Sequence, residues 1–195
     1  MQDLTESSDD QPRFGAGRFP NPTVMNAGIS STDVENEDGS YEVKNVLWST
    51  SGFYYEFSIV IKKSIYGLVV RANVLEQTSP DTFRRTGRDV AIKVCAKDVL
   101  VRSGGVSLEN PITEIGAMQD VGEPRHPNIA TQIECCVDEK NIYSVLKFHH
   151  GVELFDHILN NGPLNETAAR CMFQQLMLAV FRLQCRDIAH RDISL

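Results

Sequence analysis

Between Tyr54 and Ala96 three runs rich in β-branched and aromatic residues, Tyr54 to Ile61, Tyr66 to Val74 and Asp89 to Ala96, follow one another with no helical stretch between them. Side chains branched at Cβ keep their preferred rotamers on a pleated surface and crowd the preceding turn of a helix, so each run favours extended backbone. Consecutive strands of this kind commit the middle of the chain to a sheet. The Thr78 to Arg88 connection, with Pro80, Arg84, Arg85 and Gly87, is long for a hairpin and is expected to be an exposed loop with its arginine pair solvated.

Glu109 to Val121 then turns helical. Asn110 stands as cap and Pro111 at the first helical position, and Ile112, Ile115 and Met118 recur at helical spacing. Two more strands are expected, Ile129 to Val137 and Ile142 to Phe148, joined by a turn from Asp138 to Asn141. A long helix from about Glu166 to Gln184 follows Gly162 and Pro163, with Asn165 as cap. Its stripe of Ala169, Phe173, Leu176, Val180 and Leu183 is widened past half the circumference by Met172, Met177, Leu178 and Phe181, so it needs cover on most sides.

Charge is uneven. Of the net −7, residues 1–45 carry −6, from nine acids against Arg13, Arg18 and Lys44. That segment is poor in periodic apolar residues and is expected to be a disordered acidic tail. With no basic block, the chain has no electrostatic footprint for nucleic acid. No apolar run reaches the length of a membrane span and the start lacks the pattern of a signal peptide, so an intracellular, cytoplasmic protein with no membrane partner is expected. Five cysteines without a CxxC pair fit reduced, mostly buried thiols, with one of Cys135 and Cys136 buried and the other partly exposed on opposite faces of a strand. His149, His150 and His157 do not make a metal site by spacing, because adjacent side chains diverge.

The chemistry is concentrated in a few residues. Val90-Ala91-Ile92-Lys93 places a lysine on a rigid strand among apolar neighbours, where its ammonium can be held against nucleotide phosphates. Alone, the run better describes an ordinary strand ending in a solvated lysine. Glu114 on the following helix supplies a carboxylate that can pair with Lys93 and aim it. His126-Pro127-Asn128-Ile129 and, at the end, His190-Arg191-Asp192 complete the order.

This set resembles the eukaryotic protein kinase family over roughly residues 50–195. Gly151, Glu153-Leu154-Phe155, Pro163-Leu164 and Ala169-Arg170 are similar to the serine/threonine, calmodulin-dependent-kinase-like branch, and His-Arg-Asp-Ile-Ser-Leu is similar to a protist, oomycete-like variant. The resemblance implies an α+β, protein-kinase-like fold: an antiparallel five-stranded small lobe with one helix at about 50–148, a hinge at 147–151, and the first helices of the large lobe from 152 to 195. It implies ATP as cosubstrate and a protein substrate or partner kinase. Lys93 would hold the phosphates with Glu114 as its partner, and Gly67 would be the surviving glycine of the Gly-rich loop. Val69 and Ala91 would sandwich the adenine, and Leu146 would be the gatekeeper. The backbone of Lys147, Phe148 and His149 would meet the adenine edge, Glu153 would lie near the ribose, and Asp192 would be the catalytic base.

The sequence departs from the family's pattern. Lys62 and Ser64 stand where two more glycines are expected, and Ser194 stands in place of a lysine. The Mg2+ ligands that the resemblance implies, the asparagine five residues after Asp192 and the Asp-Phe-Gly aspartate, fall beyond Leu195. The chain is therefore expected to be a truncated kinase domain, inactive by itself. The competing expectation is a non-catalytic, pseudokinase-like module that docks a partner protein. A small-molecule phosphotransferase is a weaker third.

Overall fold

The computed structural model describes residues 22–102 and 110–194. Seven strands form β1 (Met25–Glu35), β2 (Tyr41–Ser49), β3 (Tyr54–Ser64), β4 (Gly67–Ser79), β5 (Thr82–Ala96), β6 (Gln132–Val137) and β7 (Asn141–Lys147). The helices are α1 (Lys97–Arg102), α2 (Pro111–Val121), α3 (Leu154–Asn161) and α4 (Glu166–Gln184). The strands close into a barrel in the order β1-β2-β3-β4-β5-β7-β6. The α+β class holds, but the expected antiparallel five-stranded small lobe with one helix is corrected to a closed sheet of seven strands, with α1 ahead of α2.

The two added strands come from the segment expected to be disordered and the four residues after it. Residues 1–21 lie outside the described residues, but β1 and β2 occupy 25–49 and pair antiparallel from Ala27 against Ser49 to Glu35 against Tyr41. Their connection is built by Asp38, whose carboxylate accepts from the Ser40 N–H at 2.9 Å and hydroxyl at 2.6 Å, with Gly39 at φ +79°. Across the pair, Gly28 faces Trp48, and a Cβ there would lie 2.7 Å from the indole ring. The missing side chain lets the ring lie across the neighbouring strand.

Closure needs β1 to reach both ends of the sheet. Met25 and Asn26 pair in parallel with Cys136 and Val137 of β6, while Asp33, Val34 and Glu35 pair in parallel with the start of β5. Inside lie Leu47, Tyr55, Val70, Ala72, Val90, Ile92, Cys136, Tyr143 and Val145, all nearly or wholly buried. A half-buried polar staple joins two walls: Glu134 accepts from the Tyr55 hydroxyl at 2.6 Å, the Ser49 hydroxyl at 2.8 Å and the Ser51 hydroxyl. Burial, and then the Glu134 carboxylate, push the Tyr55 hydroxyl far above its ordinary value, so it stays a donor.

The Thr78 to Arg88 stretch is not a loose loop. β4 and β5 run through it as one long hairpin, Glu76 opposite Arg84 and Gln77 opposite Phe83, turning at Pro80-Asp81. Phe83 is buried with Val34, Val46 and Leu75 in a core that only β1 and β2 complete. Arg85 is not simply solvated either. Its guanidinium donates to both oxygens of Glu56, at 2.7 and 2.6 Å, and Asn73 adds a bond at 2.9 Å.

Cys135 and Cys136 are both buried, rather than one of them, because the barrel interior covers one face of β6 and α2 covers the other. Burial pushes the Cys135 thiol up to about 12 and Cys136 higher still. Cys95 is buried too, Cys171 and Cys185 are exposed, and all five are free. α4 buries only Ala179 and leaves Phe173, Met177, Leu178 and Phe181 exposed.

Two outcomes follow for stability. Phe83→Ala should lower the unfolding free energy by about 3 kcal/mol in urea titration, where an exposed loop residue would change it by less than ~0.5 kcal/mol. Burial alone would raise the Glu56 carboxyl, but the bonds from Arg85 and Asn73 outweigh it and hold the carboxyl below its usual 4.5. A depressed carboxylate contributes stability above that usual value and loses it as the pH falls through the folded value. Glu56→Gln should therefore flatten the loss of stability below about pH 5. Asp138, held low in the same sense by Tyr143 and by the Asn141 and Lys140 amides against its burial, should leave a residual slope.

Candidate functional site

The register of β4, β5 and β7 decides which side chains leave the barrel. Val69 lies opposite Lys93, and Ala91 lies opposite Leu146. Cross-strand partners share a face, and residues two apart on a strand do too, so Val69, Ala91, Lys93 and Leu146 stand together on the outer face while Val70, Ile92 and Val145 fill the interior.

α2 lies against that face. The Asn110 side chain accepts from the Ile112 N–H at 3.0 Å, Pro111 opens the helix, and Glu114 falls in the first turn, where the helix dipole favours a carboxylate. Ile115 seats the helix in an apolar cluster with Tyr66, Cys95, Cys135 and Ile142. Lys93 Nζ then meets Glu114 Oε2 at 2.5 Å, with the two side chains 27% and 47% exposed. Burial raises the thiol of Cys95, on the same strand face, and the Lys93 charge opposes this only in part. The ion pair thus has a neutral, apolar neighbour.

Gly67 begins β4 directly across from Ser64, so the turn between β3 and β4 is only Ile65-Tyr66. A Cβ at Gly67 would lie 2.1 Å from the Val94 carbonyl oxygen, which gives this glycine a reason in strand packing by itself. Tyr66 folds inward beneath α2, and its carbonyl accepts from the Ala96 N–H at 2.9 Å.

At the far end of the face the chain leaves β7. The Lys147 N–H is spent on the Thr131 carbonyl at 3.0 Å. Phe148 is covered by the Arg71 guanidinium, 5.1 Å from its ring centre, and Arg71 is held by Asp89, 3.1 Å from its Nε. His150 sits edge-on to Phe148 at 4.9 Å. Sequence reading missed this Arg71–Asp89–Phe148 group. Its only signal was an arginine two residues after Val69 with an acid just before Val90. His149 follows Phe148, and Glu153 is the N-cap residue of α3 without a side-chain cap bond.

α4 is tied to the end of α2 and the loop behind it. Arg186 donates to the Asp120 carboxylate and carbonyl, each at 3.0 Å, and to the Glu123 carbonyl at 2.7 Å. Arg182 donates to the Glu123 carbonyl at 2.9 Å, and Asn128 to the Gln175 carbonyl at 3.1 Å. Asp192 follows α4 on an exposed segment, its N–H donating to His190 Nδ1 at 3.3 Å. The structure therefore brings Val69, Ala91, Leu146, Lys93 and Glu114 together and leaves Asp192 on a separate element.

The profile of the protein kinase domain matches residues 81–194. CBL-interacting serine/threonine-protein kinase 24 of Arabidopsis thaliana is 41% identical over 109 residues, covering 56% of this chain and 23% of that protein. CBL-interacting protein kinase 11 of Oryza sativa subsp. japonica is 35% identical over 135 residues, covering 65% of this chain and 26% of that protein. The chain belongs to the eukaryotic protein kinase family, in its serine/threonine branch. It spans about a quarter of the length of these curated relatives. The profile match begins at the β4–β5 turn, so β1 to β4, with Gly67 and Val69, lie ahead of it. No helix among the described residues is long and apolar enough to cross a membrane.

An ion pair this exposed contributes little to folding. Lys93→Met and Glu114→Ala should each shift the unfolding free energy by less than about 1 kcal/mol in urea titration, so that a functional loss in either variant reports on the site.

Proposed function

We propose that this chain carries the nucleotide-binding lobe and the start of the catalytic lobe of an ATP-dependent protein serine/threonine kinase, with an intracellular protein as phosphate acceptor. The small lobe runs to about residue 148 and includes β1 and β2, the hinge is 147–151, and the large lobe starts at 152. The observation that carries the reading is the Lys93–Glu114 pair standing beside an apolar strand face.

In this reading Lys93 holds the α and β phosphates, and Glu114 keeps its ammonium aimed at them. Val69, Ala91 and Leu146 offer the flat apolar cover an adenine ring needs, and the backbone of Lys147 to His149 meets its edge. With the Lys147 N–H already taken by Thr131, its carbonyl and the amides beyond it are the groups assigned to the base. Glu153 lies toward the ribose, and Asp192 orients and accepts the proton of the substrate hydroxyl. Mg2+ generally accompanies ATP in this family and neutralises phosphate charge. Among the described residues no three His, Cys, Asp or Glu side chains gather into a metal-holding group.

A second reading, a non-catalytic kinase-like docking module, is favoured by the β3–β4 turn. The tight Ser64–Gly67 hairpin with Tyr66 tucked under α2 offers phosphates fewer free amides than a glycine-rich loop does.

Fluorescence titration of the chain with mant-ADP separates the two. The kinase reading expects saturable binding that Lys93→Met weakens at least about tenfold, the loss of one charge-assisted phosphate contact. Equal binding by the unaltered chain and Lys93→Met, or none by either, would overturn it in favour of the docking module.

A further inference from the structure

α2 is an 11-residue helix, short enough that its own hydrogen bonds do not fix its place, and Glu114 points wherever packing sets the helix. Ile115 anchors one side in the apolar cluster, and Arg186 grips Asp120 near the C-terminal end. A third hold comes from the opposite end of the chain. The Thr23 N–H donates to Gln119 Oε1 at 2.9 Å, and Gln119 Nε2 donates back to the Thr23 carbonyl at 3.0 Å. The side-chain amide pairs with both main-chain groups of one residue, as a neighbouring strand would, and only one orientation of that amide satisfies both bonds.

The next residues extend the hold. Val24 packs against the cluster that contains Ile115, and Met25 and Asn26 pair with Cys136 and Val137 of β6. Residues 23–26 thus bridge α2 to β6 of the barrel. Ile115 and Gln119 are four residues apart and share a helical face, while Glu114 lies next to Ile115 in the turn. Pinning both Ile115 and Gln119 fixes the rotation of the helix about its axis, and that rotation decides whether the Glu114 carboxylate reaches Lys93.

We propose that the segment 23–26 is a built-in strap on α2 and that Gln119 is a positioning residue, acting on nucleotide binding through the Glu114–Lys93 pair. This rests on the nucleotide reading above. It adds a role for chain that precedes the segment matched by the kinase profile.

The test is a double-mutant cycle on the full chain, read by mant-ADP titration and by amide hydrogen exchange. Gln119→Leu, which loses both bonds to Thr23, should weaken mant-ADP binding about three- to tenfold, the range of a coupled neighbour. Gln119→Glu keeps an acceptor for the Thr23 N–H and should lose less. In a Glu114→Ala background Gln119→Leu should cost nothing further, a result that a general loss of stability would not produce. Exchange across residues 111–121 should rise in Gln119→Leu while residues 67–75 and 141–147 stay protected. No loss of affinity, or an equal loss with and without Glu114, would overturn the strap. If the unaltered chain fails to bind mant-ADP, the nucleotide reading falls and exchange alone decides the strap: unchanged protection of α2 overturns it, and raised exchange confined to α2 upholds the hold on the helix.

Discussion

A sheet can bury one face by curling on itself only if something completes the wall that its own strands do not reach, and this requirement governs the molecule. β4, β5 and β7 turn Val70, Val90, Ile92 and Val145 inward. Those side chains stay dry because Leu47 and Tyr55 face them from β2 and β3, and because β1 pairs with both β6 and the start of β5. The polar group left inside this arrangement, the Glu134 carboxylate, receives donors from Tyr55, Ser49 and Ser51 and so joins the closing strands to β6 instead of opposing closure.

Closure on one face frees the other for chemistry. Strand alternation forces Lys93 outward where Ile92 goes inward, so a rigid, fully packed strand carries a cation at its surface without burying the charge. The outward face is then covered at its two ends. α2 brings Glu114 and Ile115 to one end, and Arg71 with Phe148 joins the sheet to the segment after β7 at the other. Between them lie Val69, Ala91 and Leu146, apolar and half-buried. Because α2 is short and seated by few buried residues, its placement depends on groups from distant parts of the sequence, Thr23 on one side and Arg186 on the other.

Much of this was legible in order along the chain. The Asn110-Pro111 start of α2, the Asn165 cap and the extent of α4 from Glu166 to Gln184 follow local rules of capping and periodicity. Lys93 and Glu114 were legible because one sits in an apolar strand run and the other in the first turn of a capped helix. β1 and β2 were not. Their exposed positions mix Ser, Asn and acidic residues with Ile29, Tyr41 and Val43, and only Val34, Val46 and Leu47 are buried apolar residues, too few to outweigh composition. The Asp38-Gly39 pair between them was the available signal, a hairpin turn whose mechanism is the positive φ of glycine and the Asp38 acceptor. Thr78 to Arg88 misled for a related reason: Pro80 and Gly87 are loop formers, yet Phe83 is buried by strands whose existence the local sequence does not announce.

By itself the sequence determined what depends on near neighbours: which segments extend or coil, where α2 and α4 are capped, and that Lys93 and Glu114 stand on rigid elements in the order of a protein kinase. Only the tertiary structure decided that the sheet closes, that both Cys135 and Cys136 are buried, that Arg85 neutralises Glu56, and that Thr23 holds Gln119. Each of these is a contact between residues far apart in sequence, set by the curl of the sheet and by what covers its two faces, and a local pattern of side chains carries no record of which distant segment will supply the cover.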